Sequence, residues 1–397
     1  MTDLVNTIFS LMPSINKPQR VFMTGLLATL VVFHGRATFR NMSRYSDMSE
    51  KRFARWYRRE FPFAQFNTEL LLHSLGRSQE NIAAIDASFM KKSGKKTEGL
   101  GWFYNGAQGA SERGLETSLI SAVNIKSHTA YSIDARQTID TEGKTRTDLY
   151  ADHAADMADE LKRLEIQYLA ADSFYSKYKF VNSVVNAGLH MVGKLRVDAN
   201  LKWLYQGEYS GCGRPKQYEG KINFENDLSR FQYIGSYESN TEIYSAIAYS
   251  VSLKREVRVV LLRSSDSAVS TRAILFSTDK NLDALTLLLY YRARFQIEFL
   301  FRDAKQYTGL THCQSRRSEA INDQVNASLT ALNLLKIEDR DKKQTAEKTV
   351  ISIASWKRRK SNQHLLSRVF ERLGVNLKSI KVCNVYEELS DYGLIAS

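Results

Sequence analysis

Four polar residues between Tyr290 and Gln306 are spaced to share one face of a helix: Tyr291, Arg294, Glu298 and Lys305. At about 100° per residue they fall within about 60° of one another around the helix axis. The opposite side is apolar and suited to packing against a core, with Ala293, Ile297, Leu300 and Ala304. The polar stripe therefore points away from that packing, either toward a ligand or, as most charge stripes do, toward solvent.

Two further acids interrupt apolar runs upstream: Asp86 in IAAIDAS and Asp172 at the end of YLAADS. An Asp inside an apolar run costs free energy unless it is paired or binds a cation. If the two strands are neighbours, both acids project into a shared edge region, where Glu298 can join them. Three carboxylates there would form a hard, oxygen-rich site for Mg²⁺ or Mn²⁺. Two such ions about 3.5 to 4 Å apart would support an in-line phosphoryl transfer.

Each acid also has a simpler explanation. An Asp at a strand end often caps a turn or a helix, which fits Asp172 followed by Ser173. Asp134 and Asp198 are rival acids at similar strand ends. Glu298 could instead form an ion pair with the arginines four residues to either side of it.

The segments that would position these acids alternate between strand and helix. Strands are predicted in NIAAIDASF, in two segments around Lys126 to Thr129, in EIQYLAADS and in LHMVGKLRV. Helices are predicted in DLYADHAADMADELKRL and SKYKFVNSVVNAG. Strands followed by helix and then strand predict an α/β fold.

A change of composition interrupts this pattern from about Asn200 to Thr271. FQYIGSY, EIYSAIAYSVSL and EVRVVLLR are typical of strands separated by charged turns. The chain has four Pro and no low-complexity tract, so the sequence indicates no flexible linker. We therefore interpret this block as a mainly β insertion, after which a helical pattern resumes near Leu282 and continues in the tail from Asp323.

The balance of charge predicts a polyanionic partner. The net charge of the 397 residues is +13, and such a surface attracts nucleic acid, although an ordinary basic protein would also fit. The first 60 residues hold ten Lys and Arg against four Asp and Glu.

The segment SDMSEKRFARWYRREF predicts a helix capped by Ser49. Its apolar stripe consists of Phe53, Trp56 and Tyr57. The basic residues that lie off the stripe are candidate DNA contacts: Arg52, Arg55 and Arg59. A helix-turn-helix unit would look like this, and so would a solvated basic helix.

The cysteines and the apolar runs indicate a soluble protein in a reducing compartment. Cys212, Cys313 and Cys383 are odd in number and far apart, without zinc-ligand spacing. The longest apolar run, Val21 to Phe33, is shorter than the roughly 20 residues of a membrane span and does not resemble a signal peptide. We therefore expect no membrane partner and a cytoplasmic location.

The spacing of Tyr291, Arg294, Glu298 and Lys305 is the Tyr-Arg-Glu-Lys pattern of the insertion-sequence-four family of bacterial DDE transposases, which this chain resembles. DASFMKKSGKKTEGLGWFYNG is similar to the family's segment with the first catalytic Asp, and LAADSFYS to the segment with the second. The resemblance covers roughly residues 82–317.

This resemblance implies roles for individual residues. Asp86, Asp172 and Glu298 would be the catalytic and metal-binding acids of an RNase H-like core, holding two Mg²⁺ or Mn²⁺ ions. Three residues would bind phosphates of double-stranded DNA at the element's terminal inverted repeats: Tyr291, Arg294 and Lys305. A bidentate Arg and a point-charge Lys suit that role. The family cuts DNA at the ends of its element and joins the 3′-hydroxyls to target DNA, normally as a homodimer.

A basic loop follows the first acid. Lys92 and Lys95 flank Ser93 and Gly94 and could track a DNA backbone, or they could merely solubilise a surface turn. Relatives that pass through a DNA hairpin hold a flipped base on an aromatic residue of the insertion. Trp203 is the Trp available there, and its position at the start of the insertion favours a role in the core instead.

The expected organisation has five parts: a helical DNA-binding region (1–78), an RNase H-like core (79–200), a β-rich insertion (201–271), the rest of the core (272–340) and a helical C-terminal region (341–397). We expect a metal-dependent DNA transposase acting at the bacterial nucleoid. The alternatives are a structure-specific DNA nuclease and an inactive, domesticated descendant that only binds DNA.

Overall fold

The computed structural model describes residues 1–77, 80–209, 211, 213–237, 240–264, 271–343, 352–375 and 379–394. Cys212 and the predicted boundary at residues 78 and 79 lie outside this set.

The described residues form one mixed sheet of twelve strands with helices at both ends of the chain. The strands are β1 (Asn81–Lys91), β2 (Gly101–Asn105), β3 (Ala110–Asn124), β4 (Thr129–Gln137), β5 (Tyr168–Ala170), β6 (His190–Leu195), β7 (Leu201–Leu204), β8 (Tyr218–Lys221), β9 (Gln232–Tyr237), β10 (Thr241–Ser250), β11 (Arg255–Ser264) and β12 (Thr271–Ser277).

The α-helices are α1 (Thr2–Ser10), α2 (Lys17–Val32), α3 (Phe39–Met42), α4 (Glu50–Trp56), α5 (Phe63–Leu75), α6 (Arg146–Asp156), α7 (Ala158–Arg163), α8 (Tyr178–Asn186), α9 (Ala284–Ala293), α10 (Gln296–Asp303), α11 (Ser318–Lys343), α12 (Ile353–Arg372) and α13 (Ile380–Ser390). Of the helices described, none combines the length and the apolar character needed to cross a bilayer.

Strand β1 lies inside the sheet, between β3 on one side and β5 on the other. It runs antiparallel to β3 and parallel to β5, and β5 runs parallel to β6. The first five residues of β1 are all buried, as is typical of a strand covered on both faces. The α/β pattern predicted from the sequence is confirmed for this half of the molecule.

The block predicted as a β insertion is mainly strand, and its strands extend the same sheet. β12 pairs antiparallel with β6, with Ile274 opposite Leu195, and the sheet continues through β11 and β10 to β7 and β8. Trp203 is 7% exposed, and its Nε1 donates to Asp227 at 3.0 Å. The prediction that Trp203 belongs to a packed core is therefore confirmed.

The N-terminal helices share one hydrophobic core with the sheet. The predicted cap is present, because the Ser49 side chain accepts from the backbone N–H of Arg52 at 3.3 Å. Phe53, Trp56 and Tyr57 are buried, as their stripe predicts. The helix is shorter than expected and ends at Trp56, so Arg59 lies in the turn beyond it.

Helix α11 covers the free edge of β4 with amide side chains. Asn326 accepts from Ala135 N–H at 2.9 Å and donates to Ala135 C=O at 2.7 Å. Asn333 forms the same pair of bonds with Ser132 at 2.9 and 2.8 Å. Side chains thus replace the missing neighbouring strand, and the buried backbone groups of β4 are satisfied.

Replacing Asn333 with Leu should lower the free energy of unfolding by about 3 kcal/mol, since it leaves the buried N–H and C=O of Ser132 unpaired. Chemical denaturation followed by circular dichroism measures this loss. Asn322→Leu is the matched control, because Asn322 is half-buried and forms a longer 3.3 Å bond to the same strand. Equal losses in the two variants would contradict the role of the buried amide.

Helix α11 also carries a carboxyl group in an unfavourable position. Asp323 lies in a cavity of about 770 Å³ that Glu60 and Glu319 also line. Burial, and then the negative charges of these two residues, raises the pKa of Asp323 to about 8. Its pKa in an unfolded chain is about 3.9, so the folded state keeps a proton that the unfolded state releases. The stabilisation from protonated Asp323 is fully present below the unfolded pKa of about 3.9, and it is lost as the pH rises toward the folded pKa.

The variant Asp323→Asn should therefore unfold at a higher temperature than wild type at pH 8, and at the same temperature near pH 4. Thermal unfolding across this range measures the difference. Asp159→Asn serves as the control, because the Asp159 side chain is 95% exposed. A constant difference between Asp323→Asn and wild type at every pH would contradict the pKa shift.

Candidate active site

Two acids meet where the parallel pairing of β1 with β5 ends. The strands pair through Ala83 with Leu169 and Ala84 with Ala170. Asp86 and Asp172 each follow the last paired residue by two positions, so they lie level with each other. Asp86 Oδ1 accepts from the N–H of Ala87, and Asp172 Oδ1 from that of Phe174, both at 2.8 Å. Asp172 is thus also the turn cap that its sequence suggested.

The segment predicted as one helix is divided at Arg294 and Phe295. Around this point the backbone bonds span three residues, from Ile297 N to Arg294 O at 3.0 Å and from Glu298 N to Phe295 O at 3.1 Å. A second change follows at Ala304–Thr308, which form a π turn ending at Gly309 in the left-handed region. The prediction of an uninterrupted helix was wrong for this reason, while the predicted apolar face is buried as expected: Ala293, Ile297, Leu300 and Ala304.

Arg294 lies between two of the three acids. Its Nη1 is 3.8 Å from Asp86 Oδ2, and its Nη2 is 3.3 Å from Glu298 Oε1. The Arg294 side chain is 13% exposed and that of Glu298 is 42% exposed, so the pair spans the boundary between the interior and solvent. The guanidinium carbon also lies 5.8 Å from the ring centre of Tyr291.

Charge is concentrated around Asp86. Burial raises the pKa of Asp86 to about 6, while the Ala87 N–H and the Arg294 guanidinium act in the opposite direction. The negative charges of Asp172 and Glu298 raise this pKa further, which places both acids within electrostatic reach of Asp86. Burial also raises the pKa of Tyr291, with Arg294 opposing and Asp172 adding to that shift.

Lys305 points from the π turn to the same strand as Asp86. Its Nζ donates to Ser88 Oγ at 2.8 Å and to Phe89 C=O at 3.2 Å. Burial lowers the pKa of Lys305. The structure thus brings together five of the predicted site residues: Asp86, Asp172, Tyr291, Arg294 and Glu298. Lys305 lies beside them, because it contacts β1 two residues beyond Asp86.

Beyond Lys305 lies a cleft of about 850 Å³, which we call the basic cleft. Its charged lining is cationic, and no Asp or Glu occurs among the described residues that line it. The Lys and Arg side chains of the lining are Arg36, Lys91, Lys92, Lys95, Lys96, Lys305 and Arg316. Such a lining suits the phosphates of a nucleic acid.

Two loops that line the basic cleft, residues 92–98 and 311–318, are fixed to each other. Lys92 Nζ donates to the C=O of Cys313 at 2.5 Å, and burial lowers the pKa of Lys92. Glu98 N–H donates to Arg316 C=O at 2.8 Å, and the Glu98 carboxylate accepts from Ser318 N–H at 2.8 Å. Lys92 therefore supports the loop, whereas Lys95 is exposed and available to a ligand.

The family comparison agrees with this arrangement. The model of the transposase DDE domain matches residues 77–334, which is more than half of the chain. The chain belongs to the DDE transposase domain family. A search of curated proteins found no match. The matched range contains Asp86, Asp172 and Glu298, together with the whole basic cleft except Arg36.

The remaining DNA-contact candidates of this transposase lie in its N-terminal helices. Arg52 is half-buried and lines a cavity with Arg368 of α12. Arg55 is exposed, and Arg59 stacks over Trp56 with its guanidinium carbon 4.5 Å from the ring centre. None of these described contacts involves the carboxylates of the site.

The rival acids have other partners. Asp134 on β4 accepts from His153 at 3.2 Å and lies 3.5 Å from Arg136. Asp198 is 65% exposed and pairs with Arg196 at 3.0 Å. Both are engaged in local ion pairs, which leaves Asp86 and Asp172 as the pair that the strands align.

Sequence reasoning missed two residues beside the acids of the transposase. Tyr175 is 2% exposed, and its hydroxyl has no hydrogen-bond partner among the described residues. Burial, followed by the charge of Asp86, raises its pKa. Ser88 receives the Lys305 bond described above. Tyr175 follows Asp172 by three residues, which is the one signal that could have indicated it, and nothing in the sequence indicates Ser88.

A DDE transposase implies a divalent metal, and the donor set fits one. Among the described residues, no three His, Cys, Asp or Glu side chains stand close enough to form a ready-made metal site. The Arg294 guanidinium contacts both Asp86 and Glu298. The available ligands are carboxylate oxygens, which Mg²⁺ and Mn²⁺ prefer. The mutual repulsion of these carboxylates is relieved by a cation.

Adding Mn²⁺ should raise the thermal unfolding temperature of the wild type, because a ligand that binds only the folded state stabilises it. At a ligand concentration of 100 times Kd, the free energy of unfolding increases by about 2.7 kcal/mol. The shift should be lost in Asp86→Asn, measured by differential scanning fluorimetry. Asp198→Asn is the matched control, since it removes an acid that follows another strand of the sheet. Equal shifts in Asp86→Asn and wild type would exclude Asp86 as a ligand.

Proposed function

We propose that this chain is a DNA transposase that cleaves DNA at the ends of a bacterial insertion sequence and joins the new 3′-hydroxyls to target DNA. The observation that carries the proposal is the alignment of Asp86 with Asp172 by parallel strands, facing Glu298 and Arg294 on the helical segment. The family match supports the same activity.

The roles of the site residues follow from their chemistry. Asp86, Asp172 and Glu298 are proposed to hold two Mg²⁺ or Mn²⁺ ions, which supply activation of the attacking oxygen and neutralisation of the leaving oxygen. Arg294 and Tyr291 are proposed to bind a phosphate of the element's terminal repeat. In this role Arg294 exchanges part of its contact with Asp86 and Glu298 for a phosphate, which accepts bidentate bonds from guanidinium.

Lys305 extends this contact along β1. Its ammonium is already fixed to Ser88 and Phe89, so little side-chain freedom remains to be lost when it meets a second phosphate. Lys95 at the rim of the basic cleft is the next cation that a DNA backbone would meet.

The larger organisation is proposed on the same basis. Residues 79–200 and 272–340 form the RNase H-like core, and residues 201–271 are inserted into it. The N-terminal helices, with Arg52, Arg55 and Arg59, hold double-stranded DNA of the terminal inverted repeat. Two ends must be cut together, so the active assembly is proposed to be a homodimer.

The test is Mg²⁺-dependent cleavage and joining of a DNA fragment that carries the gene's own flanking inverted repeats. Wild type should cut at the repeat and join the 3′ end to a target. Glu298→Gln should still bind the fragment, but its cleavage rate should fall by about 100-fold or more, as expected when an electrostatic contact to the transition state is removed. Gel analysis of end-labelled DNA separates binding, cleavage and joining.

Glu256→Gln is the control. Glu256 pairs with Lys280 and lies on β11, which β6 and β12 separate from the strands that carry the acids. Cleavage without joining by the wild type would assign a nuclease instead. Binding with no cleavage under any metal would assign an inactive DNA-binding descendant. Equal cleavage by Glu298→Gln and wild type would remove Glu298 from the site.

A further inference from the structure

Strand β2 displays two large aromatic side chains to solvent. Trp102 is 66% exposed and Tyr104 is 62% exposed, whereas Phe103 between them is 1% exposed. Because side chains alternate along a strand, Trp102 and Tyr104 share one face. Two neighbouring aromatic rings left in water on a folded protein indicate a surface for a partner.

The register of the sheet places this aromatic pair on the same face as the proposed catalytic acid. Trp102 is opposite Arg113 and Tyr104 is opposite Ser111 on β3. Farther along β3, Leu119 is opposite Asp86. Residues 111, 113 and 119 are separated by even numbers, so their side chains lie on one face.

The separation between the pair and the acid follows from the same register. Six residues of β3, from Arg113 to Leu119, span about 20 Å at about 3.3 Å per residue. This distance corresponds to roughly six stacked nucleotide steps of about 3.4 Å each.

The backbone that carries the aromatic pair is well anchored. Arg146 of α6 donates to the C=O of Trp102, and its guanidinium carbon lies 4.4 Å from the ring centre of Phe103. Asn105 Nδ2 donates to Glu112 Oε2 across the β2–β3 hairpin at 2.7 Å. The two rings therefore project from a fixed strand and are pre-organised for contact.

The basic cleft reaches from β1 to the end of β2. Asn105, the last residue of β2, and Lys305, which contacts β1 two residues beyond Asp86, both line the cleft. The cleft thus brings cations close to the end of the strand that carries Trp102 and Tyr104. Arg113 adds a further exposed cation directly beside Trp102.

We propose that Trp102 and Tyr104 form a stacking platform for unpaired bases of a DNA strand whose backbone follows the basic cleft away from the acids. This inference rests on the proposed function and extends it to a single-stranded segment. Bases in a duplex are stacked on one another and expose only their edges, while unpaired bases offer their faces to aromatic rings. The cations of the basic cleft and Arg113 beside Trp102 favour an anionic strand as the occupant of this surface.

Tryptophan fluorescence provides a direct test. Of the four Trp residues, Trp56, Trp203 and Trp356 are at most 9% exposed, so Trp102 dominates the solvent-accessible signal. An oligo-dT of about 12 nucleotides, within the usual site size for single-strand binders, should quench the fluorescence of the full-length wild type. The quenching should be absent in Trp102→Phe, which keeps an aromatic ring and should keep most of the affinity.

The affinity for the same oligonucleotide, measured by fluorescence anisotropy, should fall about 10-fold in Trp102→Ala and in Tyr104→Ala, as expected for one lost base stack. Tyr392→Ala is the matched control, because Tyr392 is 77% exposed but lies at the C-terminal end of α13. Binding of the duplex terminal repeat should not change in any of these variants.

Unchanged single-strand affinity in the double variant Trp102→Ala/Tyr104→Ala would overturn the platform, and so would a wild type that does not bind oligo-dT. Loss of concentration-dependent self-association in that variant, with DNA affinity intact, would assign the aromatic pair to a protein interface instead. These outcomes are separable from the proposed function, because cleavage of the duplex repeat by wild type is measured independently.

Discussion

The parallel pairing of β1 with β5 is the constraint on which the site depends. It sets Asp86 and Asp172 level just beyond the paired residues, and two carboxylates in partial burial repel each other. The surrounding residues compensate for this repulsion. Backbone N–H groups bind one oxygen of each acid, and the Arg294 guanidinium supplies the positive charge. The tight turn at Arg294 and Phe295 directs this guanidinium and Glu298 toward the strands.

Different parts of the sheet carry different groups of residues. Its parallel centre carries the acids, the β2–β3 hairpin at one edge carries cations and exposed aromatic rings, and the strands after β6 extend the sheet in the other direction. The edge at β4 is covered by the amides of α11. The basic cleft lies where the first two of these regions meet, so the acids adjoin a surface of cationic side chains.

Local features of this structure could be predicted from the sequence, whereas the pairing of distant segments could not. The apolar face of α9 and α10, the Ser49 cap and the buried run of β1 follow from periodicity and residue type. The bond from Lys92 to the carbonyl of Cys313 joins residues 221 apart, and no local pattern encodes it. Asn326 and Asn333 look like ordinary polar helix residues until β4 lies beside them. The division at Arg294 consists of three-residue backbone bonds that the helical periodicity of this segment does not indicate.

The contact between α11 and β4 has a consequence for how the chain is made. Asn333 bonds to Ser132 and Asn67, residues synthesised 201 and 266 positions earlier. Until α11 leaves the ribosome, the β4 edge has unpaired backbone groups that can recruit strands from other chains. Glu298 also arrives late in synthesis. The nascent protein therefore exposes an unpaired sheet edge through most of its translation, and closure of that edge follows the synthesis of Glu298.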